Sequence, residues 1–159
     1  MKIFLRSDDK KKKRGTETIS SLNVGEVLFK WALKRSLTLM IINAQSCCTG
    51  HLKDLKVGQS NQISGVITQN PGRANVLILC GTITHRMGPI IRHLYDQMEK
   101  PSWVIALGSC AAGGGVMHSS YAVSRDLKKI VPVDVFVPGC PVSREGLMDA
   151  LDKIVQKAS

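Results

Sequence analysis

Cysteines are the residues in this chain best suited to chemistry, and four of the five occupy related places. Cys47 and Cys48 are adjacent and follow an apolar run, Leu37 to Ala44 (LTLMIINA), that reads as a buried strand. Cys110 stands in Gly-Ser-Cys-Ala just after the run Trp103 to Leu107 (WVIAL). Cys140 stands in Pro-Gly-Cys-Pro just after Val133 to Val137 (VDVFV). If these runs are parallel strands of one sheet, the four thiols emerge at the same edge. Four thiolates from three loops suit Zn²⁺ or an iron–sulfur cluster. Structural zinc sites commonly use cysteines paired a few residues apart, so the scattered set with its adjacent pair makes a tetrahedral zinc site awkward. A cubane spreads its iron corners further. The spacing favours a cluster, with zinc and unrelated core cysteines as the competing readings. Gly50, Gly108, Gly113 to Gly115 and Gly139 would allow close backbone approach and leave amides free for cluster sulfurs.

The remaining cysteine, Cys80, ends the run Val76 to Cys80 (VLILC) and reads as a small core residue. The glycine-rich segment Gly108 to Gly115 lacks the Lys-Ser/Thr ending of a phosphate-binding loop and does not match the dinucleotide fingerprint. A cysteine nucleophile would need a base, and nothing in the sequence pairs His51, His85, His93 or His118 with a thiol.

The elements that must position the cysteines follow from periodicity. Strands are expected at 37–44, 76–80, 103–107 and 133–137. Helices are expected at 24–35, at Met87 to Lys100 with Pro101 stopping it, and from an N-cap at Ser143 to about Lys157. His51 to Gly58 reads as a short helix or irregular segment, Gln59 to Asn75 as a polar connection, and Val116 to Lys129 as a mixed loop. Strand, loop and helix repeated in this way predict an α/β fold, a parallel sheet with helices on both faces. Ligands of such sheets sit beyond the carboxyl ends of the strands, where every conspicuous loop of this chain lies.

The 159 residues fit one domain, with 43% hydrophobic and 21% charged residues as in globular proteins. We expect a basic N-terminal arm over residues 1–20, laid on a partner, and a single domain over 21–159. No apolar run approaches the roughly 20 residues of a membrane span, and the first residues turn charged too soon for a secretory signal. A soluble, cytoplasmic chain is expected, one whose cysteines serve metal or catalysis rather than disulfides. The net charge of +10 suits phosphate backbones, anionic lipid headgroups or an acidic partner subunit alike. The basic amphipathic stretch Val24 to Arg35 suits the core or a membrane surface equally. Aromatic residues at 4% count against a nucleic-acid surface built on base stacking.

Several blocks in order resemble one family. Ser46-Cys47-Cys48, Gly81-Thr82-Ile83-Thr84, Arg86-Met87-Gly88-Pro89, Leu94-Tyr95-Asp96-Gln97-Met98, the stretch from Trp103 to Ala111 and the stretch from Val131 to Pro141 look like the B subunit of respiratory complex I. This is the roughly 20-kDa iron–sulfur subunit related to [NiFe]-hydrogenase small subunits. The resemblance runs from about Trp31 to the C-terminus. It implies a flavodoxin-like fold holding a terminal [4Fe–4S] cluster on Cys47, Cys48, Cys110 and Cys140. It also implies a hydrogenase-like large subunit, other iron–sulfur subunits and membrane ion-pumping subunits as partners, no nucleic acid, and a peripheral place on the cytoplasmic face of the cell membrane. His51, Arg86 and Met87 are candidates for lining the acceptor cleft, against plain packing or surface charge.

Two departures stand beside the cysteines: His51 where complex I proteins carry Glu, and Val142-Ser143-Arg144-Glu145 where the family continues Pro-Arg-Pro-Glu. They suggest a divergent branch, similar to archaeal membrane-bound oxidoreductases that couple ferredoxin oxidation to sulfane-sulfur reduction, with sulfane sulfur or quinone as acceptor. The alternatives are the small subunit of a membrane-bound [NiFe]-hydrogenase and, from another class, a basic zinc or nucleic-acid-binding module.

Overall fold

Two consecutive-apolar segments with no polar alternation, Val76–Gly81 (β4) and Trp103–Leu107 (β5), are buried at every residue and pair in parallel at the middle of the sheet. A strand covered on both faces reads as such a continuous run. The computed structural model describes residues 4–5, 32, 36–44, 47–48 and 65–158. Beside β4 lies β2 (Leu37–Ala44), then β3 (Gly65–Ile67); beside β5 lies β6 (Val135–Val137), then the two-residue β1 (Phe4–Leu5). Five strands are parallel, and β1 alone among the described strands runs antiparallel, with Phe4 opposite Phe136 and Leu5 opposite Val135. In chain order the parallel strands stand 2-1-3-4-5, the flavodoxin-like order, whose switch point falls between β2 and β4.

Side chains alternate across the sheet into two cores. On one face Val76, Ile78, Ile105 and Val135 pack with Leu147, Leu151 and Ile154 of α3 (Arg144–Lys157). On the other Leu77, Leu79, Val104 and Ala106 pack with Ile91 of α1 (Met87–Asp96), Ala111 of α2 (Gly108–Gly113) and Leu127, Val131 and Val133. Helices on both faces are as the repeat of strand and helix predicts.

β2 and β5 fall where periodicity puts them, and Ala32, within the helix expected at 24–35, is helical. The expected segment from His51 to Gly58 lies outside the described residues. Helix α1 ends at Asp96 rather than Lys100: Gln97 and Met98 close a tighter turn onto Leu94 and Tyr95, and Met98 is buried. The residue before Pro101 is also disfavoured in helical conformation. β6 starts at Val135 because Asp134 meets Val104 with its side chain as well as its backbone. The Val104 amide donates to Asp134 Oδ2 at 2.9 Å while the Asp134 amide donates to the Val104 carbonyl. β3 lies within the stretch read as a polar connection, and β1 lies within residues 1–20, read as an arm.

Ser143 is the N-cap of α3, as expected: its Oγ accepts from the Gly146 amide at 3.2 Å. Ser143→Ala is expected to lower unfolding stability by about 1 kcal/mol, read from the midpoint of denaturant unfolding. A change below a few tenths would mean the cap does not hold the helix that starts beside Cys140.

Candidate metal centre

Each of the four cysteines lies beyond the carboxyl end of a strand. Cys47 sits in a turn and Cys48 in helical conformation after β2; Cys110 is in the first turns of α2 after β5; Cys140 follows β6. Parallel pairing of β2, β4, β5 and β6 therefore brings chain positions far apart in sequence to one edge.

The thiols converge there. Cys48 is buried, and its thiol pKa is pushed up first by loss of water, against the pull of a hydrogen bond from the Val142 backbone. Cys47, to which it is hydrogen-bonded, and the charge of Cys110 raise it further. Cys140 is exposed; its pKa is raised first by its hydrogen bond to Cys47 and by that thiol's charge, then by slight burial and by Cys110 and Cys48. Each of the two thus feels the other members of the set. Among the described residues no three His, Cys, Asp or Glu side chains are close enough about one point to hold a single metal ion.

The backbone around them is cut back to admit sulfur. A Cβ on Gly108 (φ +83°) would stand 3.1 Å from Cys48 Sγ and 3.3 Å from the Gly139 carbonyl. One on Gly115 (φ +54°) would stand 2.8 Å from Cys110 Sγ, so any side chain there displaces the thiol. Gly113 faces open space, so it is Gly108 and Gly115 that make the cradle. Ser109 ties two of the loops together, its amide donating to the Gly139 carbonyl at 3.1 Å and its hydroxyl at 3.3 Å. A soft thiolate set with glycine-lined approaches fits an iron–sulfur cluster chemically.

Other expected site residues fall differently. Arg86 is exposed at the start of α1, with no side-chain capping bond, and Met87 is half-buried against the α1-side core. His51 lies outside the described residues. Cys80 is fully buried in the α3-side core, its thiol directed at the Ile42 carbonyl and Asn43 Oδ1, as the reading of a core cysteine expects. Val142, which the sequence marks only as a departure from the family's pattern, bonds Cys48 through its amide.

A flavodoxin-like sheet with cysteines at its carboxyl edge defines a class of α/β proteins. Within that class, this chain belongs to the family of the 20 Kd subunit of NADH ubiquinone oxidoreductase, whose family model matches residues 35–154. It is also similar to a chain in the structure of the membrane-bound sulfane sulfur reductase, an archaeal respiratory membrane complex. The two share 27% identity over 81% of this chain and 73% of the other, with a TM-score of 0.65.

Proposed function

We propose that the chain is the electron-transfer subunit of a membrane-bound, ion-translocating respiratory oxidoreductase, and that Cys47, Cys48, Cys110 and Cys140 hold its terminal [4Fe–4S] cluster. The observation that carries this reading is the convergence of four thiols from three strand ends on a glycine-cut cradle. Family membership and the likeness to a chain of the sulfane sulfur reductase complex support it. Bound there, the cluster supplies one-electron transfer. The chain's own residues do the rest: the cysteines ligate as thiolates, Gly108 and Gly115 leave room, and the Val142 amide donates toward Cys48 sulfur. Such hydrogen bonds to sulfur tune the potential of the site.

On this reading electrons leave toward an acceptor, sulfane sulfur or quinone, at the interface with a hydrogenase-like large subunit. Arg86, exposed at the head of α1, and the half-buried Met87 are, with His51, the residues proposed for the acceptor cleft. No helix among the described residues is long and apolar enough to cross a membrane. The chain sits peripherally on the cytoplasmic face, beside other iron–sulfur subunits and membrane ion-pumping subunits.

Electron paramagnetic resonance of the anaerobically isolated complex, with iron and acid-labile sulfide analysis, tests this. We expect a reduced-cluster signal that changes in Cys140→Ser, and loss of both signal and turnover on removal of iron by a chelator under oxidising conditions. A spectrum identical in the variant would refute the ligand assignment.

A further inference from the structure

Away from the thiols, His85, Pro89 and Arg92 face Lys129 and Ile130 across an open cleft of about 450 Å³. An adjoining cleft of about 260 Å³ shares His85 and Lys129 and adds Ser120, Ser124 and Arg125. The walls are tied by backbone: Thr84 bridges Val123, the His85 amide donates to the Ala122 carbonyl at 2.9 Å, and the Ser124 amide donates to the Ile83 carbonyl at 2.9 Å. The concavity is therefore built into the fold.

Its charge is predominantly positive. Arg92 is held by Asp96 at 3.1 Å and donates to the Ile130 carbonyl, which fixes its guanidinium at the cleft wall. Among the described residues Arg125 and Lys129 make no ion pair. One carboxylate, Asp126, stands in the lining of the second cleft, where it accepts from the Lys128 amide; Asp96, beside the first, is taken by Arg92. Beside the cations a large side chain is exposed, Tyr121 at 95%, in the lining of the second cleft. Cations and serine hydroxyls in a concave site suit a phosphate group. An exposed aromatic side chain beside such cations suits the interfacial layer of a membrane.

We propose that this double cleft binds the phosphate of an anionic phospholipid headgroup through Arg92, Arg125 and Lys129, with Tyr121 resting in the interface. The proposal stands on the cleft alone and is independent of the cysteine site. A flat basic surface would attract polyanions generally; a preformed cleft of headgroup size localises the effect to a few residues.

The test is co-sedimentation of the full chain with vesicles of phosphatidylcholine containing phosphatidylglycerol, at about 0.15 M salt to screen diffuse attraction. The double variant Arg125→Glu, Lys129→Glu is compared with Arg73→Glu, Lys100→Glu. The second pair makes the same charge change at exposed positions that precede β4 and β5, and circular dichroism verifies that both fold. We expect at least a tenfold loss of vesicle affinity in the cleft variant and less than about twofold in the other. Equal losses would overturn the site in favour of diffuse charge. Undiminished vesicle binding in the cleft variant would overturn it too, leaving the cleft to an acidic polypeptide. Binding of inorganic phosphate without binding of vesicles would overturn the lipid as its source.

Discussion

Cys110→Ser is expected to abolish or reshape the cluster signal and to cut electron transfer through the complex far beyond the roughly 10–100-fold typical of losing a supporting hydrogen bond at a metal site. A serine hydroxyl is a hard, weakly acidic donor where a soft thiolate is wanted. The fold should survive, because Cys110 is only partly buried and α2 keeps its backbone bonds whichever side chain stands there. Cys80→Ala supplies the contrast. It removes a fully buried thiol that points at the Ile42 carbonyl rather than toward the cradle. Stability should fall while the resonance signal stays. The pair of outcomes separates a ligand from a core residue: an unchanged signal in Cys110→Ser, or a lost one in a folded Cys80→Ala, would contradict the assignment.

Gly81→Val is expected to be the most damaging single change to the fold, lowering stability by upward of about 4 kcal/mol. Gly81 closes β4 with φ +91°, a conformation strained for any side chain and worst for a β-branched one. Any Cβ there would also overlap the Ala44 carbonyl, the residue paired with Gly81 at the end of β2. The overlap falls at the switch point, where neither strand can withdraw without breaking the parallel ladder that brings Cys47 and Cys48 to the edge. Thermal unfolding followed by circular dichroism reads the effect. A variant melting within a few degrees of the parent would mean that the β2–β4 junction is slack.

Long elements with strong patterning were legible in the sequence. VLILC and WVIAL are continuous apolar runs because both sheet faces are covered; they and LTLMIINA, whose Asn43 is exposed, became β4, β5 and β2 nearly residue for residue. Ser143 was legible as a cap because a hydroxyl stood directly before a helical pattern. Short edge elements were not. β3 has three residues and leaves Val66 68% exposed, so no burial pattern could mark it. β1 is defined by its pairing with β6, a partner at the far end of the chain. Helix α2 hid behind its glycines: Gly108, Gly113 and the left-handed Gly114 that ends it are poor helix formers, and the segment reads as a loop until Leu107 and the sheet below fix its start. Within the site, the cysteines could be picked out by type and by place after apolar runs. The Val142 amide and the separate roles of Gly108 and Gly115 could not, because backbone direction leaves no trace in residue identity.

The parallel order of the strands also sets a timetable for synthesis. Each neighbour along the sheet from β4 to β6 must wait for an intervening connection to be made, and such non-local pairings are slow to close. The thiol set is complete only when the segment after β6 has left the ribosome, and β1, the first strand made, can dock only on one of the last. The nascent chain thus carries its first cysteines and an open sheet edge for most of its synthesis. On the proposed ligand assignment, cluster loading belongs to the finished chain, and oxidation or edge-to-edge association is the hazard of the interval before it.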